Sequence, residues 1–365
     1  PYESFDESVV NFLYSAANDK DVLAIKQTLY RVSSSSPVVQ ALEKAVQNGK
    51  QVTVLMEVKA RFDEANNILM ARRLEKAGAH VIYGLVGLKT HSKCTLVIRR
   101  EKDGIRRYVH VATGNYNAST AKLYTDLGIL TCNDRFGIDA SAFFNLLSGY
   151  SDPPIWDSFI VAPINLRQRC IELIDREIHF AKNGEDAHMI AKMNSLLDKG
   201  IIEKLYEASQ AGVKIELIVR GICVLIPGIP GVSDNITVRS IVGRFLEHSR
   251  IFWFRNGGRE ELYISSADWM PRNLNDRVEL MVPIEDPEIK RRLKQMVDIE
   301  LSDNQKAHIM QADGTWLKTI SAENQLCAQE YFQKIAEKRD AEDEMTLAQK
   351  LEPYTPVLGH GDGSD

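Results

Sequence analysis

The residues best suited to chemistry are two histidines, each followed two positions later by a cation. Lys93 follows His91 in this way, and Arg250 follows His248. Each pair leads into an apolar run, and a strand turns alternate side chains to one face, so each histidine should share a face with its cation. An imidazole nucleophile beside a fixed cation suits attack on a phosphorus centre, because the anionic oxygens must be held and neutralised. The spacing therefore predicts two strand-borne pairs that act on phosphate.

The two histidine segments belong to an internal repeat. Besides them, residues 25–29 match 192–196, residues 49–55 match 212–218, and residues 112–117 match 265–270. Two α/β units could share such short patterns by chance, but four blocks in the same order make chance the weaker explanation. Each half is too long to be a solenoid unit, so the pattern indicates a duplicated domain.

The repeat also pairs two acids. Asp126 stands eleven residues after Asn115, and Glu279 stands eleven residues after Asp268 in the matching block. A carboxylate that accepts the Nδ1 proton of a site histidine would fix its tautomer, so both acids are candidates for this role. Equal spacing is the only basis for the assignment, and it leaves open which acid meets which histidine. A solvated surface acid is the alternative at each position.

Length and composition narrow the class of protein. The 365 residues should form two domains, and no uncharged apolar stretch reaches the length of a membrane span. Five scattered cysteines without a CxxC motif are typical of a reduced, cytoplasmic protein and do not suggest a metal site. The net charge of -5 argues against non-specific nucleic-acid binding, so we expect no nucleic-acid partner.

Basic residues are nevertheless concentrated around the repeated motifs. The residues in question are Lys59, Arg61, Lys89, Lys93, Arg220, Arg244, Arg250 and Arg277. A basic pocket in an acidic protein suggests a local anionic ligand.

Strand and helix patterns alternate along both halves, which predicts a mixed sheet covered by helices in each. In the first half we expect helices over 5–20, 37–47 and 63–76, strands over 22–30, 51–58 and 80–83, and a hairpin over 91–111. In the second half we expect helices over 166–181, 201–210 and 322–343, and strands over 187–193 and 214–219 and around 236, 251, 262 and 278. The Pro-rich stretch 151–154 predicts a linker, so the domains should be 1–155 and 156–343, followed by a disordered tail over 344–365.

Together, the histidine–cation pairs and the run Gly114-Asn115-Tyr116-Asn117 resemble the phospholipase D superfamily, whose two halves each contribute one histidine to a shared site. More specifically, the chain resembles bacterial polyphosphate kinases of the first type. The matching segments are 1–5 (PYESF), 25–31 (IKQTLYR), 59–64 (KARFDE), 87–91 (GLKTH), 112–117 (ATGNYN) and 274–279 (LNDRVE). The resemblance covers residues 1–318 and implies two phospholipase D-like domains. It also implies that the full-length enzyme has two further N-terminal domains.

The resemblance implies a reaction and a set of partners. His91 would take the γ-phosphate of ATP as phosphohistidine and pass it reversibly to inorganic polyphosphate. His248 would act as general acid, or electrostatically, on the leaving phosphate. ATP, ADP and polyphosphate would be the ligands, Mg²⁺ the cofactor, and the full-length protein a homo-oligomer. Membrane contact, if there is any, would be peripheral.

Further site residues follow from the resemblance or from the histidine motifs. By resemblance, Arg220 and Arg277 bind nucleotide phosphates, Tyr124 lies at the nucleotide site, and Arg31 and Arg61 hold phosphate near magnesium. An arginine cannot ligate a cation, so any metal role must run through shared phosphate oxygens. Lys93 and Arg250 are our own additions, as phosphate clamps on the histidine faces. The remaining histidines that we considered, His110, His179 and His188, are expected to be structural.

Two other functions remain as alternatives. A phosphodiesterase or nuclease of the same superfamily would carry an acid a few residues after the histidine–lysine pair. Residues 94–99 contain no acid, which favours the kinase branch. A polyphosphate-binding fragment without catalytic activity is the non-enzymatic alternative.

Overall fold

Two mixed β-sheets form the frame of the chain, one built mainly from each half. The computed structural model describes residues 1–33, 35–58, 64–85, 87–149 and 155–350. The predicted linker 151–154 lies outside the described residues, so the domain boundary at residue 155 stays a prediction. Within the described ranges, no helix combines the length and apolar character needed to cross a bilayer.

The first half contains eight strands and five α-helices within its described residues. The strands are β1 (Val22–Leu29), β2 (Gln51–Met56), β3 (His80–Tyr83), β4 (Lys89–Thr90), β5 (Lys93–Glu101), β6 (Gly104–Ala112), β7 (Tyr124–Thr125) and β8 (Gly128–Thr131). The helices are α1 (Asn11–Asn18), preceded by a π-helical turn (Asp6–Val10), α2 (Pro37–Gln47), α3 (Glu64–Ala77), α4 (Ala118–Ala121) and α5 (Asp134–Leu147). Helix α2 begins where the sequence predicts, because Ser36 Oγ accepts from Val39 N and Pro37 fits the first helical position.

The second half repeats this scheme and adds elements after it. Its strands are β9 (Ile160–Ala162), β10 (His188–Met193), β11 (Lys214–Val219), β12 (Ile236–Ile241), β13 (Leu246–Glu247), β14 (Ile251–Phe254), β15 (Glu261–Ser265), β16 (Arg277–Pro283), β17 (Ala307–Met310) and β18 (Trp316–Lys318). Its helices are α6 (Leu166–Lys182), α7 (Lys199–Gln210), α8 (Pro271–Asn275), α9 (Pro287–Leu301) and α10 (Ala328–Lys350), with a 3₁₀ turn at Asn256–Gly258.

The two sheets share the same order of six strands. The first runs β3-β2-β1-β5-β6-β8, and the second contains β12-β11-β10-β14-β15-β16 in the corresponding places. In each sheet the first three strands are parallel and the next three continue antiparallel. Strands β17, β18, β9 and β4 extend the second sheet. The predicted fold class, two duplicated α/β domains with mixed sheets, is therefore confirmed.

One of the predicted block alignments is wrong by three residues. Ile25 pairs with Val97, which stands six residues after the first histidine. Met189 pairs with Phe254, which stands six residues after the second. Ile25 is therefore the counterpart of Met189, whereas the sequence match had set it against Lys192. Two short runs of similar polarity produced the match without occupying the same place in the sheet.

Two short parallel ladders cross between the halves. In one, β4 from the first half pairs with the start of β16, which brings Thr90 opposite Val278. In the other, β13 from the second half pairs with β7 of the first, which brings Glu247 opposite Thr125. Strands β4 and β13 each end one residue before a histidine. Each half therefore delivers its histidine to an element of the other half.

A shared apolar core joins the two sheets. It contains Leu96, Val109 and Phe143 from the first half together with Trp253 and Leu280 from the second, all buried. Complete burial of a large apolar side chain contributes roughly 1.5–3 kcal/mol, so the combined core strongly favours one arrangement of the halves. The crossing ladders rest on this arrangement.

The last helix differs from its prediction at both ends. Helix α10 begins at Ala328, six residues later than expected, and continues to Lys350. Asp303 Oδ2 accepts a hydrogen bond from Ala328 N and caps the helix there. The helix thus continues into the tail, whose boundary at residue 343 and whose disorder stay predictions. Residues 351–365 lie outside the described residues.

Helix α5 anchors the first segment of the second half through a buried carboxylate. Asp139 accepts hydrogen bonds from the backbone N–H groups of Asp157 at 3.1 Å, Ser158 at 2.6 Å and Phe159 at 2.8 Å. Three donors on one carboxylate fix the chain just before β9, which pairs with β16. The carboxylate thus helps to set the position of the second sheet.

We predict that Asp139→Ala lowers the free energy of unfolding by at least about 3 kcal/mol, because it leaves three backbone donors without their acceptor. Urea denaturation followed by circular dichroism measures the change. Asp134→Ala, at an exposed position of the same helix, is the control and should cost less than about 1 kcal/mol. Equal losses in the two variants would contradict the anchoring role.

Candidate active site

His91 lies where the chain passes from the second sheet into the first. It follows β4 and precedes β5, so it occupies a short connection and not the strand that the sequence predicted. The backbone N–H groups of His91 and Ser92 both donate to Val278 O at 2.9 Å. These two bonds fix the backbone of the histidine to β16, which belongs to the other half.

The imidazole of His91 contacts a carboxylate of the second half. Nδ1 lies 2.9 Å from both oxygens of Glu279, which is completely buried. Asn273 Nδ2 donates to Glu279 at 2.6 Å, and Ser266 Oγ donates to its other oxygen. The carboxylate of Glu279 thus contacts Asn273, Ser266 and His91, and its contact with Nδ1 orients the imidazole ring of His91.

Burial sets the charge state of this pair. The pKa of His91 is lowered well below its usual value, first by burial and then by the positive charges of Lys93 and Arg277. Burial also raises the pKa of Glu279, although Lys93 and Ser266 oppose that shift. His91 is therefore neutral at pH 7. If its hydrogen is on Nδ1, facing Glu279, then Nε2 presents a lone pair.

His248 repeats this arrangement with the halves exchanged. It follows β13, and its backbone N–H donates to Thr125 O at 3.2 Å. Its Nδ1 lies 2.8 Å and 3.0 Å from the two oxygens of Asp126. Asp126 also accepts from Thr113 Oγ1 at 2.6 Å. Gly114 leaves room for this acid, because a Cβ on Gly114 would come within 2.2 Å of Asp126 Oδ2.

The pKa values around His248 follow the same logic. Burial lowers the pKa of His248, as does the nearby Arg250, while Asp126 opposes the shift. Burial alone would raise the pKa of Asp126, but His248, Thr113 and Arg250 outweigh it, and the net shift is downward. The second pair is therefore a neutral imidazole on an ionised carboxylate.

Each histidine thus contacts the acid of the opposite half. The sequence identified both acids from their spacing but left the pairing open, and the structure places His91 with Glu279 and His248 with Asp126. Their role in fixing the tautomer of each ring stays a prediction.

The two cationic side chains that follow the histidines in the sequence are buried next to them. Lys93 Nζ donates to the carbonyl oxygen of His91, and burial lowers the pKa of Lys93 to about 7. Arg250 donates to His248 O at 2.6 Å and forms a bidentate pair with Asp268 at 3.2 Å. Both side chains lie at the site and are hydrogen-bonded to the carbonyl oxygens of the histidines that precede them. Their predicted role as phosphate clamps stays a prediction.

Two residues that the sequence did not single out connect this network. Asp268 anchors Arg250 and also accepts from the backbone N–H of Asn194 at 2.7 Å. Asn194 Nδ2 donates to His248 O at 3.3 Å, and its Oδ1 accepts from Arg220 Nε. Asp268 was visible in the repeat as the counterpart of Asn115. No sequence signal pointed to Asn194.

The remaining predicted residues surround the histidines where they are described. Tyr124 lies on β7 with its ring centroid 5.1 Å from that of His248. Arg277 begins β16, and its charge helps to lower the pKa of His91. The guanidinium of Arg31 lies 5.7 Å from the ring of Tyr30, which itself packs edge-on against His91 at 4.8 Å. Lys59 and Arg61 lie outside the described residues.

Two family models match the chain in sequence order. The model described as Polyphosphate kinase C-terminal domain 1 matches residues 1–153, and Polyphosphate kinase C-terminal domain 2 matches residues 159–329. The chain belongs to the polyphosphate kinase family. The resemblance inferred from the sequence motifs is thereby confirmed.

Individual members of the polyphosphate kinase family match most of the chain. The polyphosphate kinase of Halalkalibacterium halodurans is 61% identical over 307 residues, which are 84% of this chain and 43% of that protein. The polyphosphate kinase of Synechocystis sp. is 55% identical over 341 residues, which are 92% of this chain and 47% of that protein. The chain thus spans about half the length of the curated relatives it matches.

Solved structures support the fold. The polyphosphate kinase from Porphyromonas gingivalis superposes with a TM-score of 0.87 at 39% identity, over 94% of this chain and 52% of that one. The phosphatidylserine synthase of Haemophilus influenzae Rd KW20 superposes with a TM-score of 0.55 at 12% identity, over 93% and 92% of the two chains. The second likeness concerns the fold alone.

His110, which was predicted to be structural, is buried within the first half. Its Nδ1 lies 2.8 Å from the hydroxyl of Tyr116, which accepts from Thr95 Oγ1 at 2.9 Å. Burial lowers the pKa of His110 to about 4. The unfolded chain accepts a proton near pH 6.5, whereas the folded chain resists it. The stability contributed by the neutral ring is therefore present above pH 6.5 and is lost as the pH falls toward 4.

We predict that His110→Asn reduces the dependence of the unfolding free energy on pH between 6.5 and 4. The slope should fall by up to about 1.4 kcal/mol per pH unit, the value for one proton. Urea denaturation at several pH values measures the slope for the wild type and the variant. Identical slopes would contradict a buried, neutral His110.

Proposed function

We propose that this chain performs the phosphoryl transfer of a polyphosphate kinase. His91 Nε2 forms a bond to the γ-phosphorus of ATP while the bond to the β–γ bridging oxygen breaks and ADP leaves. A terminal oxygen of inorganic polyphosphate then attacks the phosphohistidine and releases the histidine. The reverse sequence makes ATP from ADP. Membership of the family and the geometry around His91 support the proposal.

The observation that carries the proposal is the neutral, oriented ring of His91. With Nδ1 against Glu279 and a pKa well below the usual value, the ring has its reactive nitrogen unprotonated at pH 7. Such a nitrogen is an effective nucleophile, and the resulting phosphoramidate is reactive enough for reversible transfer. Phosphoryl transfer otherwise depends on positioning and charge neutralisation, which the surrounding cations provide.

We assign His248 a supporting role on the leaving phosphate. Its pKa is lowered in the free protein, so the ring carries no positive charge at pH 7 before substrate binds. A bound phosphate anion would raise that pKa and allow His248 to act as a general acid. Such proton transfer typically contributes about 10²–10⁴-fold to a rate.

The remaining polar groups would bind the nucleotide and its phosphates. A cavity of about 700 Å³ opens beside Tyr124 and Asp126 and extends between Asn115 and helices α9 and α10. The described residues that line it include neither His91 nor His248, and neither Arg220 nor Arg277. Its volume is in the range of small-molecule sites. Tyr124 would contact the base or ribose there, while Arg220 and Arg277 would bind phosphate oxygens through their planar forks. Lys93 and Arg250 would add positive charge close to the two histidines.

Magnesium belongs to the proposal as a partner of the phosphates. Among the described residues, no cluster of three or more His, Cys, Asp or Glu side chains is arranged to hold a metal ion. Arg31 and Arg61 would hold phosphate oxygens that the ion shares, and they would not ligate it. When bound, the ion would neutralise charge on the transferred group.

We further propose a cytoplasmic location, self-association of the full-length protein, and no nucleic-acid partner. These proposals rest on the scattered cysteines, the family resemblance and the net negative charge, respectively.

The competing functions make different demands on the site. A phosphodiesterase would use an acid after the histidine–lysine pair, but the corresponding residues lie within β5, where Cys94 and Leu96 are buried in the shared apolar core. A fragment that only binds polyphosphate would retain the polymer without covalent transfer.

We predict that the chain incorporates label from γ-³²P-ATP in the presence of Mg²⁺, and that His91→Ala abolishes the labelling because the nucleophile is lost. His248→Ala should still be labelled, but more slowly. Gels run under alkaline conditions preserve phosphohistidine, which is acid-labile. His179→Ala, at an exposed position, is the control and should label like the wild type.

Labelling of His91→Ala would exclude His91 as the acceptor. Absence of label from the wild type, repeated with the full-length protein, would refute the kinase proposal. Filter retention of polyphosphate in that case would select the binding function, and hydrolysis of a diester without ATP would select the phosphodiesterase.

A further inference from the structure

A buried ionic cluster lies next to His248 in the second half. Lys192, on β10, donates to the carboxylates of Glu247 at 2.7 Å and of Glu300 on α9. All three side chains are at most 4% exposed. The other contacts of Glu247 are Thr125 Oγ1 at 2.8 Å and Gln329 Nε2 at 2.6 Å. Both oxygens of this carboxylate are therefore occupied.

The cluster is adjacent to the His248 pair on both strands of the crossing ladder. Glu247 immediately precedes His248 on β13, and Thr125 immediately precedes Asp126 on β7. The hydrogen bond from Thr125 to Glu247 joins the two strands at the last rung before the histidine–carboxylate contact. A change in this bond would therefore act one residue away from the contact between His248 and Asp126.

The equivalent positions in the first half carry neutral side chains, although the buried carboxylate of Glu57 accepts from the backbone N–H of Thr90 at 2.8 Å. Thr90 precedes His91 as Glu247 precedes His248, and strand register makes Thr28 the counterpart of Lys192. Thr28 Oγ1 donates to Ser92 O at 2.8 Å and accepts from Cys94 N at 3.0 Å. Two threonines of the first half thus stand where Lys192 and Glu247 stand in the second. The lysine–carboxylate pair next to His248 has no counterpart at these two positions.

Helices that follow the strand β16 supply the extra partners. Glu300 lies on α9 and Gln329 on α10. The amide of Gln329 donates to Phe245 O at 2.9 Å and to Glu247, and it accepts from Phe245 N at 3.0 Å. The side chain of Gln329 thus binds the backbone of Phe245, just before β13, and the buried carboxylate of Glu247 on β13. The position of α10 is coupled to the segment that carries His248.

Electrostatics indicate which member holds the negative charge. Burial would raise the pKa of Glu247, but Lys192, Gln329 and Thr125 outweigh it, so its pKa is lowered and the side chain is ionised. Burial raises the pKa of Glu300 to about 7, against the opposing effect of Lys192. Glu247 is therefore the ionised partner of Lys192. It is also the charged acceptor of the Thr125 hydrogen bond that joins β7 and β13.

We propose that Lys192, Glu247 and Gln329 are positioning residues that fix His248 against Asp126 and couple its placement to helix α10. Their catalytic consequence rests on the proposed function, but the placement of His248 does not. A buried ion cluster could instead serve stability alone, and such clusters can often be replaced by neutral groups at little cost. The two interpretations differ in what a neutral replacement does to the ring of His248.

The test compares the wild-type full-length protein with the triple variant Lys192→Met, Glu247→Gln, Glu300→Gln, which preserves volume and removes all three charges. Long-range ¹H–¹⁵N correlation of labelled histidines reports the imidazole nitrogens of His91 and His248, assigned with the two alanine variants. We expect the signals of His248 to move and those of His91 to stay. Gln329→Ala should move them too, whereas Gln333→Ala, on the same helix and bonded to Glu337, should not.

Phosphotransfer kinetics of the same variants provide a second test of the positioning role. The triple variant should reduce the rate by about 10²-fold, the scale for a group displaced by about 1 Å. In a His248→Ala background it should cause no further loss, because the residue being positioned is already absent. A control, Glu177→Gln, removes a buried charge that accepts from Asn256 N in the same half, and its effect should be the same in both backgrounds.

Each outcome bears on the proposal. Unmoved His248 signals, equal movement of His91 signals, or equal rate losses with and without His248 would reduce the cluster to a structural role and overturn it. If the wild type shows no phosphotransfer, the proposed function fails, and the imidazole signals alone decide the positioning role.

Discussion

The exchange of strands between the two halves is the constraint on which the site depends. An acceptor at Nδ1 fixes which nitrogen of an imidazole presents a lone pair, and the carboxylates that contact Nδ1 of His91 and His248 both come from the opposite half. The crossing ladders bring the partners together, because β4 and β13 end one residue before the histidines. The shared apolar core holds the sheets in register for both ladders. Within the described residues, neither His91 nor His248 pairs with a carboxylate of its own half.

The two duplicated domains share one strand order, but the surroundings of their two histidines differ. His91 contacts Glu279, and its pKa is kept low by burial and by the nearby cations Lys93 and Arg277, which suits a nucleophile. His248 rests on an ionic cluster and on residues of α9 and α10, which belong to the second half alone. The two histidines therefore occupy equivalent places in the fold and different electrostatic settings, consistent with different tasks in one reaction.

Much of this could be predicted from the sequence. Equal spacing identified Asp126 and Glu279, and the motifs identified both histidines and the family, because these signals depend on local order along the chain. The cross-pairing could not be predicted, since it depends on how two sheets pack. The roles of Asn194 and Lys192 could not be predicted either, because they depend on contacts with His248, Glu247 and Glu300 that form only in the folded chain. The histidines were placed on strands because the following apolar runs suggested it, yet the strands begin after them.

The exchange of partners is the central claim, and histidine NMR of two isosteric variants tests it most directly. Glu279→Gln and Asp126→Asn each remove one negative charge and preserve the volume of the side chain. We predict that Glu279→Gln shifts the imidazole nitrogens of His91 and leaves those of His248 in place, and that Asp126→Asn does the reverse. If each variant instead perturbed the histidine of its own half, the account of an exchanged, two-half active site would be wrong.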